Sequence, residues 1–184
     1  MLATEDLYSI IDLKLVAYGN TQYNSTSGFT CQHGPNECAV DVYDSCLEYM
    51  LGGNDLSVIE TGSQSKAAWP FILCMEQAEG DPSKAQGCFE QTNQDSSLTW
   101  SALNECATTM ADKVQEAAMA ATPVHDYVPW CLVDGEQLEH TNLLKKKVCD
   151  AYTGPPPPSC SVKLNAEKDG SGTRDKEKSM NNWW

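Results

Sequence analysis

The stretch CQHGPNECAVDVYDSC, residues 31 to 46, carries the most specific pattern in this chain and decides its fold. It sets three cysteines around a histidine and a glycine, and it leads into apolar residues that recur at three- and four-residue steps. That spacing predicts a helix from Glu37 to Leu51, which Gly52 and Gly53 would end. Two of the three cysteines therefore belong to one helix, and the first precedes it.

Composition limits the class of protein. The chain has 184 residues, 41% of them hydrophobic, which suits one globular domain, expected over residues 1–160. Its net charge of -14 argues against nucleic-acid partners and against docking to anionic membranes. Its nine cysteines are spread along the chain, as disulfides of an oxidising compartment would be.

The first residues do not resemble a secretion signal. MLATEDLYSIIDLKLVAYGN carries acidic residues early and lacks the long apolar run of a signal peptide or a membrane helix. Two interpretations compete: a cytosolic protein with free thiols, or a sequence whose N-terminal part lies upstream of Met1. We favour the second. Asn24-Ser25-Thr26 is an N-glycosylation sequon, which fits a secretory-pathway protein.

Further elements follow from periodicity and capping residues. Asp12 to Tyr18 alternates like a strand, and a polar loop should follow to about Thr30. The composition of residues 128–135 predicts a strand, whose hairpin partner lies in EQLEH. Residues 161–184 are polar, which predicts a disordered tail. The predicted helices are the end of one over Leu2 to Ser9, then Ser65 to Gln77, Trp100 to Met110 capped by Ser96 or Ser97, Ala111 to Ala121, and Thr141 to about Tyr152.

Residues 31 to 46 resemble the cysteine signature of the gamma-interferon-inducible lysosomal thiol reductases: Cys-Gln-His-Gly, two residues, Glu-Cys, two residues, Asn, four residues, Cys. The chain departs from it at Asp41, where that family usually has asparagine. Further similar blocks follow in the family's order, and together they cover most of residues 10 to 160. These blocks are LVAYGN, LCMEQ, LNEC and HDYVPWCLVDG.

The resemblance implies an α/β, thioredoxin-like fold with a helical, cysteine-rich insertion. Such reductases act through a Cys-x-x-Cys pair placed before the signature, and no two cysteines of this chain have that spacing. The first strand and the Cys-x-x-Cys segment would thus be missing, and no catalytic residue can be assigned. The resemblance also implies that Val128 and Pro129 form a substrate-facing loop with a cis-proline, the alternative being an ordinary trans proline that opens a strand.

The function implied is reduction of disulfides in protein substrates, in a lysosomal, endosomal or extracellular compartment. Whether this chain is itself an enzyme is left open by the missing pair, and we expect it to be inactive. One alternative is a non-catalytic secreted disulfide-rich binding module on the same scaffold. Another is an unrelated helical cysteine-rich protein.

Eight cysteines match the family and are candidates for disulfides, with 105 possible pairings. Cys131 stands outside that set, and the role of a buried, small hydrophobic residue in a strand suits it better than that of a nucleophile. Cys31, His33 and Cys38 could also suggest zinc, but the spacing is poor, so we expect no metal and no other cofactor. The eight candidates are Cys31, Cys38, Cys46, Cys74, Cys88, Cys106, Cys149 and Cys160.

Overall fold

The computed structural model describes residues 5–161. It contains two compact units: residues 13–128 form one, and residues 5–12 together with 129–161 form the other. The expectation of a single domain over 1–160 stays a prediction. The predicted disordered tail starts at Ser161, the last described residue, and the rest of that tail lies outside the described residues.

Helices make up most of the described structure. The larger unit carries six, of which α2 is the longest, and the smaller unit carries three and a short 3-10 turn. In chain order the helices are α1 (Glu5–Ile10), α2 (Pro35–Leu51), α3 (Ser57–Thr61), α4 (Ser65–Gln77), α5 (Ala85–Thr92), α6 (Trp100–Thr109), α7 (Ala111–Ala121), α8 (Leu144–Ala151) and α9 (Pro158–Ser161). The helices predicted over residues 37–51, 65–77, 100–110 and 111–121 are confirmed, and the last predicted helix begins as the 3-10 turn Thr141–Leu143.

Two small antiparallel sheets of two strands each are found among residues 5–161. In the larger unit, β1 (Gln22–Asn24) pairs with β2 (Gly28–Thr30), so the polar loop expected there is a hairpin. In the smaller unit, β3 (Leu132–Val133) pairs with β4 (Glu136–Gln137). The described residues are thus helix-rich with small sheets, and the thioredoxin-like arrangement stays a prediction.

Helix α2 lies at the centre of the larger unit, against α4, α6 and α7. Pro35 occupies its first turn, where the fixed φ suits a helix and no intrahelical N–H bond is lost. Gly53 and Asn54 follow its end with φ of 75° and 66°, a left-handed conformation that stops a helix. Nine of its side chains are buried, so α2 is enclosed on most of its circumference.

Disulfides join the helices in both units. Cys46 on α2 is bonded to Cys106 on α6, and Cys74 on α4 to Cys88 on α5. The Cys46 side chain is fully buried in the apolar core, so this bond ties the central helix to its neighbour from inside. In the smaller unit a disulfide links α8 to α9, through Cys149 and Cys160.

Residues 12–18 do not form the predicted strand. Leu15 instead meets a side chain of α4: its N–H donates to Ser65 Oγ at 2.9 Å, and its carbonyl accepts from the same hydroxyl at 3.3 Å. Ser65 is fully buried. The Ser65 hydroxyl therefore satisfies the N–H and the carbonyl of Leu15, which a neighbouring strand would otherwise bond.

Two other predictions need correction. The strand expected over 128–135 is limited to Leu132–Val133, because the turn at Asp134 and Gly135 follows at once. The cap of α6 is Thr99, whose Oγ1 accepts from Ala102 N at 3.2 Å, and not Ser96 or Ser97. The Ser97 hydroxyl donates to Asp95 Oδ1 at 2.6 Å instead.

Candidate functional site

The signature folds into a loop that a disulfide closes onto the first turn of α2. Cys31 follows β2, and its sulfur is bonded to that of Cys38 across a sequence separation of 7. Within the loop, Gly34 N donates to Cys31 O at 3.2 Å, and Cys38 N donates to Gly34 O at 3.4 Å. Gly34 has φ of 95°, a conformation that side chains disfavour, so the glycine of the signature is needed for its backbone.

Glu37 fastens the loop to the helix. Its carboxylate accepts from the backbone N–H of His33 at 2.5 Å, and its other oxygen lies 3.2 Å from His33 Nδ1. A glutamate in the first turn that reaches back to a preceding N–H acts as it does in a capping box. The histidine and the glutamate of the signature thus have a shared structural role.

Four carboxyl side chains lie along one side of α2, and we refer to Glu37, Asp41, Asp44 and Glu48 as the acidic face. Their spacing of three and four residues brings them into line on a helix. All four are buried, and Asp44 is only 3% exposed. Asp44 Oδ1 and Glu48 Oε1 have no hydrogen-bond partner among the described residues.

Burial makes Asp41, Asp44 and Glu48 hold their protons to a higher pH than usual. It raises the pKa of Asp41 to about 7, and the charges of Glu37 and Glu76 add to this. It also raises the pKa of Asp44 well above its ordinary value. Burial raises the pKa of Glu48 to about 7 against the opposing effect of a hydrogen bond from Ser65. Asp41 and Glu48 are therefore largely protonated at acidic pH and become charged as the pH rises through about 7.

Asp41 connects the acidic face to the signature disulfide. Its Oδ2 lies 3.9 Å from Cys31 Sγ, and both residues are buried. A disulfide sulfur carries no proton, so a hydrogen atom in this contact must come from the carboxyl group. The arrangement places a protonatable oxygen beside the more buried sulfur of the pair.

All eight candidate cysteines form disulfides in the structure. The partners are Cys31 with Cys38, Cys46 with Cys106, Cys74 with Cys88, and Cys149 with Cys160. Cys131 is the free cysteine, and it is half-buried ahead of β3. Burial raises the pKa of its thiol, which lowers the fraction of reactive thiolate.

The remaining predicted site residues lie apart from the signature. Val128 is half-buried in the larger unit, where its side chain comes close to Gly19, and Pro129 is exposed. Their role as a substrate-facing loop stays a prediction. Asn24 is exposed at the turn between β1 and β2, where its Oδ1 accepts from Thr26 N at 2.8 Å.

Within residues 5–161, no group of three or more His, Cys, Asp or Glu side chains is placed to hold a metal ion. No helix of that range is long and apolar enough to cross a membrane.

A cleft of about 550 Å³ opens in the larger unit beside α2, α4 and α5. Its lining includes the apolar residues Leu47, Pro70 and Phe89 and the charged residues Lys66 and Asp95. No cysteine is among the residues that line this cleft.

Comparison with known proteins decides the family. The family model described as "Gamma interferon inducible lysosomal thiol reductase (GILT)" matches residues 1–92. A relative from Carassius auratus named gamma-interferon-inducible lysosomal thiol reductase is 32% identical over 171 residues, which cover 86% of this chain. This chain belongs to the gamma-interferon-inducible lysosomal thiol reductase family.

The family match extends to mammals and plants. A protein of the same name from Mus musculus is 32% identical over 83% of this chain. A gamma-interferon-responsive lysosomal thiol protein from Arabidopsis thaliana is 28% identical over 81% of it. This chain spans 62%, 59% and 60% of the lengths of these three relatives.

Sequence reasoning missed the acidic face of this family member. The signal was present, because acidic residues at 37, 41, 44 and 48 share one side of any helix that contains them. The helix was predicted instead from the apolar residues between them. The contact of Asp41 with Cys31 depends on how the loop closes, which residue spacing does not specify.

Proposed function

We propose that the protein serves as a thiol-disulfide oxidoreductase that reduces disulfides in protein substrates. The observation that carries this is the folded signature of residues 31 to 46 in a chain 32% identical to a relative named as a thiol reductase. The proposed substrates are disulfide-containing proteins. The net charge of -14 disfavours nucleic acid and anionic membranes as partners.

The chain's own cysteines are not the reductase pair in this proposal. Reduction needs a thiolate to attack the substrate and a second thiol nearby to resolve the mixed disulfide. Eight cysteines are engaged in disulfides, and burial raises the pKa of the ninth, Cys131. The 184 residues therefore supply the scaffold, and by themselves they do not turn over substrate.

The scaffold's contribution is to hold the substrate against a reactive pair. We infer that, together with a Cys-x-x-Cys segment, the protein has a thioredoxin-like fold in which Val128 and Pro129 face the substrate chain. Pro129 is exposed and so is available for that contact. Backbone groups beside it would pair with the substrate segment.

We also propose a lysosomal, endosomal or extracellular location with a glycan on Asn24. The relatives' names include the word lysosomal. Four disulfides suit an oxidising compartment. The exposed Asn24 side chain at a hairpin turn is open to a modifying enzyme.

A chimera tests the proposed function. The segment of the Carassius auratus relative that precedes the part aligned with residue 10 of this chain would be fused before residue 10, and reduction of insulin would be measured at mildly acidic pH. We expect turnover by the chimera and none by a matched chimera in which both Cys-x-x-Cys cysteines are serine. A folded chimera as inactive as its serine control would contradict the proposal.

The cleft favours one alternative, a non-catalytic module that binds extended polypeptide against its apolar lining residues. Ala67 lies on the cleft wall and is exposed, so Ala67→Trp would fill the cleft without disturbing the core. If binding is the function, this variant loses affinity for labelled, carboxymethylated insulin B chain, as followed by fluorescence anisotropy. Equal anisotropy curves for both proteins would reject the alternative.

A further inference from the structure

The signature disulfide, Cys31–Cys38, is distinguished by the short loop that it closes and by the carboxyl group that lies beside it. Among the described disulfides, that of Cys31 and Cys38 closes the shortest loop, with a sequence separation of 7 against 11, 14 and 60. A short loop constrains the unfolded chain least, so opening this bond costs the fold least. A carboxyl oxygen also lies 3.9 Å from one of its sulfurs.

The two cysteine residues of this disulfide are not equally exposed. Cys31 is only 5% exposed, whereas Cys38 is partly exposed on the first turn of α2. An incoming thiolate therefore reaches Cys38 more easily, and Cys31 becomes the leaving group. The leaving sulfur is then the one that lies beside Asp41.

The surroundings of Cys31 make a leaving thiolate unfavourable unless it gains a proton. Asp41 has Glu37 and Asp44 near it on α2 and Glu76 near it on α4, and Glu37 is paired with His33. A second buried negative charge among these acids would be strongly destabilised. A neutral carboxyl group at Asp41 can protonate the leaving sulfur, which moves the negative charge from the sulfur to a carboxylate oxygen.

We propose that the Cys31–Cys38 disulfide is a site of thiol exchange for small monothiols, opened at Cys38 with Asp41 as the proton donor to Cys31. The thiolate's electron pair forms a new bond to Cys38 Sγ, and the electrons of the broken S–S bond go to Cys31 Sγ. Asp41 donates its proton to that sulfur and becomes a carboxylate. The products are a mixed disulfide on Cys38 and a thiol on Cys31.

The reverse reaction uses the same groups. The Asp41 carboxylate takes the proton from the Cys31 thiol, and the resulting Cys31 thiolate attacks Cys38 Sγ, so that the small thiol leaves as its thiolate. The exchange is thus reversible, and it does not require a Cys-x-x-Cys pair. It goes beyond the proposed reductase function, and the chimera experiment neither supports nor rejects it.

The proposed proton transfer makes the rate of thiol exchange at Cys38 depend on pH. Substitution of Asp41 should remove this dependence, whereas substitution of a neighbouring acidic residue should not. The purified 184-residue chain would be treated with 2-mercaptoethanol below and above pH 7, and adducts would be mapped by mass spectrometry after alkylation. Each rate would be divided by the concentration of 2-mercaptoethanol thiolate at that pH. In the unaltered chain the rate at Cys38 should be roughly tenfold or more higher on the acidic side, which is less than the roughly 10²- to 10⁴-fold that a fully protonated general acid contributes.

Matched variants isolate the proton donor. Asp41→Asn keeps the size of the side chain, and it should lose the acidic-side advantage at Cys38. Asp44→Asn removes a neighbouring carboxyl group that has no recorded contact with the sulfur, and it should keep the advantage. The Cys149–Cys160 disulfide serves as an internal reference whose rate per thiolate is the same in all three proteins. Circular dichroism would verify that each variant is folded.

Three results would overturn the proposal. One is an Asp41→Asn chain that exchanges at Cys38 as the unaltered chain does at every pH. Another is a loss in Asp44→Asn equal to that in Asp41→Asn, which would indicate a general field effect. The third is an adduct on Cys31, or no adduct on either residue while Cys149–Cys160 is opened.

Discussion

The Ser65 hydroxyl bridges both backbone groups of Leu15, accepting from its N–H at 2.9 Å and donating to its carbonyl at 3.3 Å. The two residues are separated by 50 positions, so this bridge holds the segment before the signature against α4. The same hydroxyl is also hydrogen-bonded to Glu48 on the acidic face, so its single proton is shared between that carboxyl group and the Leu15 carbonyl, and this contact lowers the pKa of Glu48 against the effect of burial. A single buried hydroxyl thus serves the backbone and the acidic face together.

Replacing Ser65 by alanine should destabilise the fold. Its removal leaves the Leu15 N–H and C=O without these bonds, and each buried unpaired group costs about 1 to 3 kcal/mol. The free energy of unfolding would be measured by urea titration. Ser63→Ala, an exposed position two residues earlier, is the control and should change stability by less than about 0.5 kcal/mol. Equal stabilities of the two variants would show that the bridge is unimportant.

Removal of the Cys46–Cys106 disulfide should cost more than removal of Cys31–Cys38. The sequence separations are 60 and 7, and loop-closure entropy then predicts losses of about 4 and about 2 kcal/mol. Double Cys→Ala variants of each pair would be compared in urea. The burial of Cys46 in the core acts in the same direction. A larger loss for the signature pair would contradict this ranking.

Stability should fall as the pH rises from acidic to alkaline. The pKa of Asp41 and that of Glu48 are raised to about 7, and that of Asp44 is raised well above its ordinary value, so the folded state binds more protons than the unfolded state. Carboxyl groups in an unfolded chain have a pKa of about 4. The stabilisation is fully present below that value and is lost as the pH rises through the folded-state pKa.

Urea midpoints measured at pH values on both sides of 7 would check this dependence. Asp41→Asn should flatten the profile, because amide and carboxyl side chains have the same size but only one ionises. Asp112→Asn, at an exposed position on α7, should leave the slope unchanged. A midpoint that rises across the same pH interval would show that these carboxyl groups do not govern stability.

The N-terminal cap of α6 is Thr99 in the structure, whereas the sequence predicted Ser96 or Ser97, and substitutions distinguish the two. Thr99→Ala should lower the free energy of unfolding by about 1 kcal/mol, because the Ala102 N–H loses its acceptor. Ser96→Ala should be nearly neutral, since that exposed serine does not cap the helix. The sequence alone favoured Ser96 or Ser97. Urea titration of both variants distinguishes the two assignments, and a greater loss for Ser96→Ala would restore the earlier one.

The sequence predicted the elements that depend on neighbouring residues. The bounds of α4 and α7 and the C-terminal end of α2 follow from apolar periodicity and stop residues, which are local signals. The hairpin of β3 and β4 was expected because Asp134 and Gly135 mark a turn. In these segments local preference and tertiary packing agree.

The sequence could not predict what depends on distant contacts. The alternation of residues 12–18 suggested a strand, but its partner is a serine 50 residues away and not a second strand. Which cysteine bonds which is equally non-local, because Cys46 meets Cys106 only after α2 and α6 pack together. The acidic face was visible as spacing, yet its burial follows from the helices that enclose α2.

We expect the disulfide-bonded cysteines of this chain to form its scaffold and not to reduce protein disulfides by themselves. The most direct test is the rate of insulin reduction by the purified, oxidised chain with a small thiol as reductant. The Carassius auratus relative serves as the active comparison. We expect a rate equal to that of the small thiol alone. Turnover that rises with the concentration of this chain would contradict the account.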